Sequence, residues 1–77
     1  MERDKFIKMK FKAFMAIDFF NKRDNNIVEC ILLAVDFEQE LFTLEAVDKE
    51  TYYSKPFDVR REYCELPKPK LKIVTNK

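Results

Sequence analysis

Two cysteines, a run of alternating acids and a lysine–phenylalanine alternation are the groups in this 77-residue chain best suited to chemistry. Cys30 and Cys64 sit in apolar, strand-like sequence. Two cysteines do not build the framework of a small secreted domain, and with no histidine in the chain two lone thiols make a poor metal site. They are expected to be reduced, partly buried thiols, with a Cys30–Cys64 disulfide as the alternative; the reduced form implies the cytoplasm. Asp36, Glu38 and Glu40 present the oxygens a hard cation wants. They lack glycine and EF-hand spacing, so solvated turn acids are expected. Tyr52, Tyr53, Ser54 and Lys55 carry usable groups but no nucleophile with its base.

The absences narrow the chemistry further. Without histidine there is no Ser-His-Asp or Cys-His arrangement. Without glycine neither the P-loop nor the dinucleotide fingerprint can form, because both need backbone that approaches a phosphate closely. No catalytic residue, metal, cofactor or nucleotide is therefore expected, and the chain is read as not being an enzyme.

The strongest positive pattern is F-I-K-M-K-F-K-A-F, residues 6–14. On a strand, Phe6, Lys8, Lys10, Lys12 and Phe14 share one face. Lysines for phosphates and phenylalanines for bases would hold single-stranded nucleic acid. The competing reading is an edge strand whose lysines block aggregation. A formal net charge of +1 favours the second, since nucleic-acid modules are usually clearly basic. That near-neutral sum hides basic ends, 1–12 and 67–77, around an acidic middle, 27–50. The ends are expected to neutralise the middle across the fold.

Those groups must be positioned by short elements. Residues 6–12 alternate, with Ile7, Met9 and Phe11 opposite the lysines, which predicts a strand continuing toward Phe20. The alternative is an N-terminal helix at 5–20, making the fold α+β. Asn21 to Asn26 is the clearest turn. With no glycine, positive φ falls to Asn21, Asp24, Asn25, Asn26, Asp36 or Asp48. Ile27–Val35 and Leu41–Val47 read as strands. Pro56 precedes another at Phe57 and Val59, and a bulge or helical turn is expected at Arg60-Arg61, where the inward phase shifts. Leu71–Val74 is a possible last edge strand, and 67–77 otherwise a basic tail.

Four or five short strands in one all-β meander would close most economically as a small barrel or strongly bent sheet. In strand count and length the chain resembles the small SH3-like and Sm-like barrels. The resemblance carries no site residue. One domain, 1–77, accounts for the length.

The second strand has two apolar faces. Val28, Cys30, Leu32 and Ala34 form one; Ile27, Ile31, Leu33 and Val35 form the other, interrupted only by Glu29. A one-layer barrel has one interior, so the second face needs a cover: the tail, through Leu71, Ile73 and Val74, or residues 14–20. Failing both, a homodimer covers it. Burying three such aliphatics is worth about 5 kcal/mol before association costs. A non-catalytic protein-interaction module that self-associates is the resulting expectation, with single-stranded nucleic-acid binding as its alternative. The longest apolar run, Cys30 to Val35, is too short to span a membrane. A signal peptide is not expected, because Asp18 interrupts the apolar stretch that follows the basic start.

Overall fold

The computed structural model describes residues 1–48 and 53–67. Of the tail expected over 67–77, residues 68–77 lie outside them, with the edge strand expected at Leu71–Val74, and so does Tyr52. A short helix α1 (Arg3–Lys8) precedes β1 (Ala16–Asn21), β2 (Asn26–Asp36), β3 (Leu41–Ala46) and β4 (Phe57–Arg60). A 3₁₀ turn (Arg61–Tyr63) then leads to β5 (Cys64–Glu65). All pairings are antiparallel. The order is β4-β3-β2-β1-β5, so the last two strands take opposite edges of one curled, half-barrel sheet.

Period two explains the sheet's two faces. Inward, Ile17 and Phe19 of β1 oppose Cys30 and Val28 of β2, while Cys30 and Leu32 oppose Ala46 and Leu44 of β3. Phe42 and Leu44 then meet Val59 and Phe57 of β4, and Cys64 meets Phe19. This is the core. The break expected at Arg60-Arg61 is the 3₁₀ turn, which lets the chain cross from β4 to the far edge.

Residues 6–12 correct the strand expectation. The helix ends at Lys8, and no regular element follows until Ala16, so the helix alternative is right in kind and far too long. A helix brings Phe6 and Met9 to one side, which buries Phe6 completely and leaves Ile7 outside. Phe6 meets Phe42 edge-on at 5.3 Å, and Phe11 meets Phe42 at 5.3 Å. Phe37, in the β2–β3 turn, lies 5.3 Å from Phe6. An interior place for Phe6 outweighs the weak preference of a lysine-spaced segment for strand.

A second correction concerns β2. Its register against β3 slips between Leu32 and Ala34, leaving Leu33 as the extra residue of a bulge. Beyond it the alternation inverts. Val35 turns inward opposite Phe42, and Ala34 turns outward opposite Thr43. The face expected from Ile27, Ile31, Leu33 and Val35 is therefore not one surface: only Ile27 and Ile31 remain together on the outside.

Turn chemistry is partly as expected. Asn25 takes positive φ, but so do Phe14 and Glu40, which are neither Asn nor Asp. Phe14 is held there by its N–H donating to the Leu32 carbonyl at 2.7 Å, while the Leu32 N–H donates to the Met15 carbonyl. Glu40 closes the β2–β3 turn, where Asp36 Oδ1 accepts the Glu38 and Gln39 amides.

Candidate functional site

The residues singled out in the amino-terminal segment do not form one surface. Phe6 is in the core, Lys8 ends α1, Lys10 and Lys12 lie in the irregular segment, and Phe14 is exposed on its strained turn. The segment's cations instead hold the fold together. Arg3 Nε lies 3.2 Å and Arg61 Nε 2.5 Å from the two oxygens of Glu40, and Arg61 also donates to the Met1 carbonyl. The Arg61 and Arg3 hydrogen bonds hold the Glu40 carboxyl below its ordinary range. Lys5 sits 2.8 Å from Glu65 and lowers that carboxyl likewise. Of these pairs only Arg3–Glu40 joins the amino-terminal end to the acidic middle, since Glu65 lies outside 27–50.

The thiols are buried and form no disulfide; Cys30 Sγ donates to the Val28 carbonyl and Cys64 Sγ to the Arg60 carbonyl. Desolvation, with Asp18 adding to it, pushes Cys30 up to about 11. Desolvation pushes Cys64 up to about 12. Such thiols are poor nucleophiles and poor metal ligands. Among the described residues no group of three or more acids and thiols is placed to hold a metal, and no helix is long and apolar enough to cross a membrane.

The outward face around β1 is where unusual chemistry gathers. Phe20 and Ile27 are directly opposite across β1 and β2, and they stay 40% and 62% exposed. One step along the strands, Asp18 stands between Glu29 of β2 and Glu65 of β5. Like charges directly opposite on a sheet repel; at Glu65 this is offset by Lys5 at 2.8 Å, which leaves Asp18 opposite Glu29 as the uncompensated contact of the row.

Two grooves border the Phe20–Tyr63 wall. The first, about 420 Å³, has Phe20, Ile27 and Leu66 among its lining, with Asp18, Glu62 and Glu65 as its side-chain charges and Met1, which carries the terminal ammonium, beside them. The second, about 410 Å³, is lined by Phe20, Tyr53, Tyr63, Lys22 and Arg23, among others. Among the described residues no Lys or Arg side chain lines the first groove, whose one positive group is the terminal ammonium of Met1, donating to the Arg61 and Cys64 carbonyls, and no carboxylate lines the second. Lys22 Nζ lies 4.7 Å from the Tyr63 ring centre, a cation–π contact. Lys22 and Arg23 are carried there by the β1–β2 turn. Its shape is held by buried Asn21, which accepts the Arg23 amide and donates to Asp24.

Sequence reasoning named Ile27 but not Phe20, Asp18, Lys22, Arg23 or Tyr63. The Asn-rich turn and the strands on either side of it were expected; the return of β5 beside β1, which brings Tyr63 to the turn, was not. No protein-family model, curated protein or solved structure matches the chain.

Proposed function

We propose that this chain is a non-catalytic protein-interaction module of the cytoplasm whose partner is a second copy of itself. The observation that carries the proposal is the exposed Phe20–Ile27 pair on the outward face. A large aromatic and a β-branched aliphatic opposite each other, left bare in a small domain, favour association. The lack of histidine and glycine supports a non-catalytic role, and the two buried thiols, which form no disulfide, support the compartment. Light scattering during gel filtration over a hundredfold dilution tests it. A dimer dissociating to 9.3 kDa is expected; a 9.3 kDa species at every concentration overturns it.

Single-stranded nucleic-acid binding is the second reading, moved from the amino-terminal segment to the second groove. Tyr53 and Tyr63 beside Lys22 and Arg23 combine surfaces for bases with cations for phosphates. Anisotropy of a labelled oligo-dT at low salt tests this; binding that is absent there, or unchanged by Lys22→Glu with Arg23→Glu, removes it.

A further inference from the structure

We infer that two copies pair about a two-fold axis at the Phe20–Tyr63 wall, each placing Lys22 and Arg23 in the acidic groove of the other. This rests on the self-association reading and names its surface. The argument is one of charge and adjacency. The acidic and basic grooves share Phe20 and Tyr63, so they lie on either side of one wall. A two-fold axis at that wall exchanges the grooves and brings opposite charges together twice, which is how an isologous interface becomes self-complementary. Phe20 and Ile27 then lie near the axis, where an apolar centre inside a charged rim is the usual anatomy.

Competing occupants fit less well. A nucleic acid in the basic groove would run beside Asp18, Glu62 and Glu65. A purely basic partner would use the acidic groove and leave the cationic one unmatched. The existing ion pairs, Lys5–Glu65 and Arg60–Glu62, have partners that are all at least 45% exposed, so they leave these carboxylates open to a second cation. The acid row also acquires a purpose. Asp18 stands opposite Glu29 and beside a Glu65 already paired with Lys5, and the guanidinium and ammonium of a partner would give Asp18 opposite charges of its own.

Charge-swap complementation tests the pairing. The unmodified protein, Lys22→Glu with Arg23→Glu, and Asp18→Lys with Glu62→Lys are compared by light scattering, with circular dichroism as the folding check. Each variant alone should dimerise at least about tenfold more weakly than the unmodified chain, since like-charged grooves now meet. An equal mixture should regain a species of twice 9.3 kDa, because the all-acidic surface meets the all-basic one. In the unmodified protein the dissociation constant should rise with sodium chloride, a readout that does not depend on either variant folding. If the unmodified chain dimerises without salt dependence, or both variants dimerise as it does, this surface is wrong and self-association stands. If each variant is monomeric and the mixture stays monomeric, the reciprocal pairing is wrong. If the unmodified chain is a monomer throughout, both readings fall; oligo-dT binding lost in Lys22→Glu with Arg23→Glu would then assign the basic groove to nucleic acid.

Discussion

Around the β2–β3 turn, Phe6 and Phe11 fold over Phe42 while Arg3 and Arg61 grip Glu40. Around the β1–β2 turn, at the other end of β2, Phe20 and Ile27 face outward and no described helix covers them. Both regions join a tight turn to large apolar side chains and charges. In the first the charges are opposite and locked to each other across the fold. In the second the charged side chains that line the two grooves are sorted by sign onto two sides of a wall. An aromatic cluster finished with internal ion pairs stabilises the single chain; one with its charges segregated is better suited to meeting another surface.

The contrast breaks most readily on side-chain truncation. Phe42→Ala should cost about 3–5 kcal/mol in urea unfolding, because it opens a cavity under Phe6 and Phe11. Phe20→Ala should cost about 1 kcal/mol or less in the monomer and abolish dimerisation. Equal costs would show that the hairpin end is as much core as the helix end.

The thiols beneath the sheet sharpen the comparison from inside. With native values raised to about 11 for Cys30 and 12 for Cys64, against 9.0 for a free thiol, both stay protonated in the folded chain while the unfolded chain ionises. Their contribution is complete below pH 9.0 and is lost as pH rises through the native values, at about 1.4 kcal/mol per pH unit for each thiol. Unfolding free energies measured from pH 8 to 12 should fall more steeply than those of Cys30→Ala with Cys64→Ala. Parallel curves would mean the thiols are hydrated in the native state.

Glu40 acts in the opposite direction. Its carboxyl is held below 4.5, so its contribution is present above that value and is lost as pH falls through the native one. Acid titration of Glu40→Gln should show a shallower loss than the parent below pH 4.5. An identical slope would show that Arg61 and Arg3 give it no net preference for the charged form. The smallest effect is expected at the outward acid row. Asp18→Thr should raise monomer stability by about 0.5 kcal/mol, by removing two like-charge neighbours and adding a β-branched residue. A thermal midpoint that falls would mean Asp18 has a structural role in β1.

Much of the sheet could be read locally. Leu41–Val47 read as a strand, which β3 matches over Leu41–Ala46, and the Asn-rich turn placed the first hairpin. The phase change after Val59 located the 3₁₀ turn. The candidate surface was far less legible. Ile27 stood out only as one member of a second apolar face with Ile31, Leu33 and Val35, a face the bulge at Leu33 breaks up. Phe20 was hidden in a stretch apolar on both sides, and Lys22 and Arg23 read as ordinary turn residues.

Two kinds of information separate here. Periodicity, turn composition and the absence of glycine and histidine act on neighbours along the chain. They determined a small all-β sheet and its main turns. Three features came only from tertiary structure. Residues 3–8 became a helix because Phe6 had an interior place beside Phe42. The bulge at Leu33 inverted the faces of β2, so that Val35 turned inward against Phe42. The row Glu29–Asp18–Glu65 arose because β5 returned to pair with β1. Each depends on strand pairing and shared packing between distant segments, and a pairing register is not written in either strand alone.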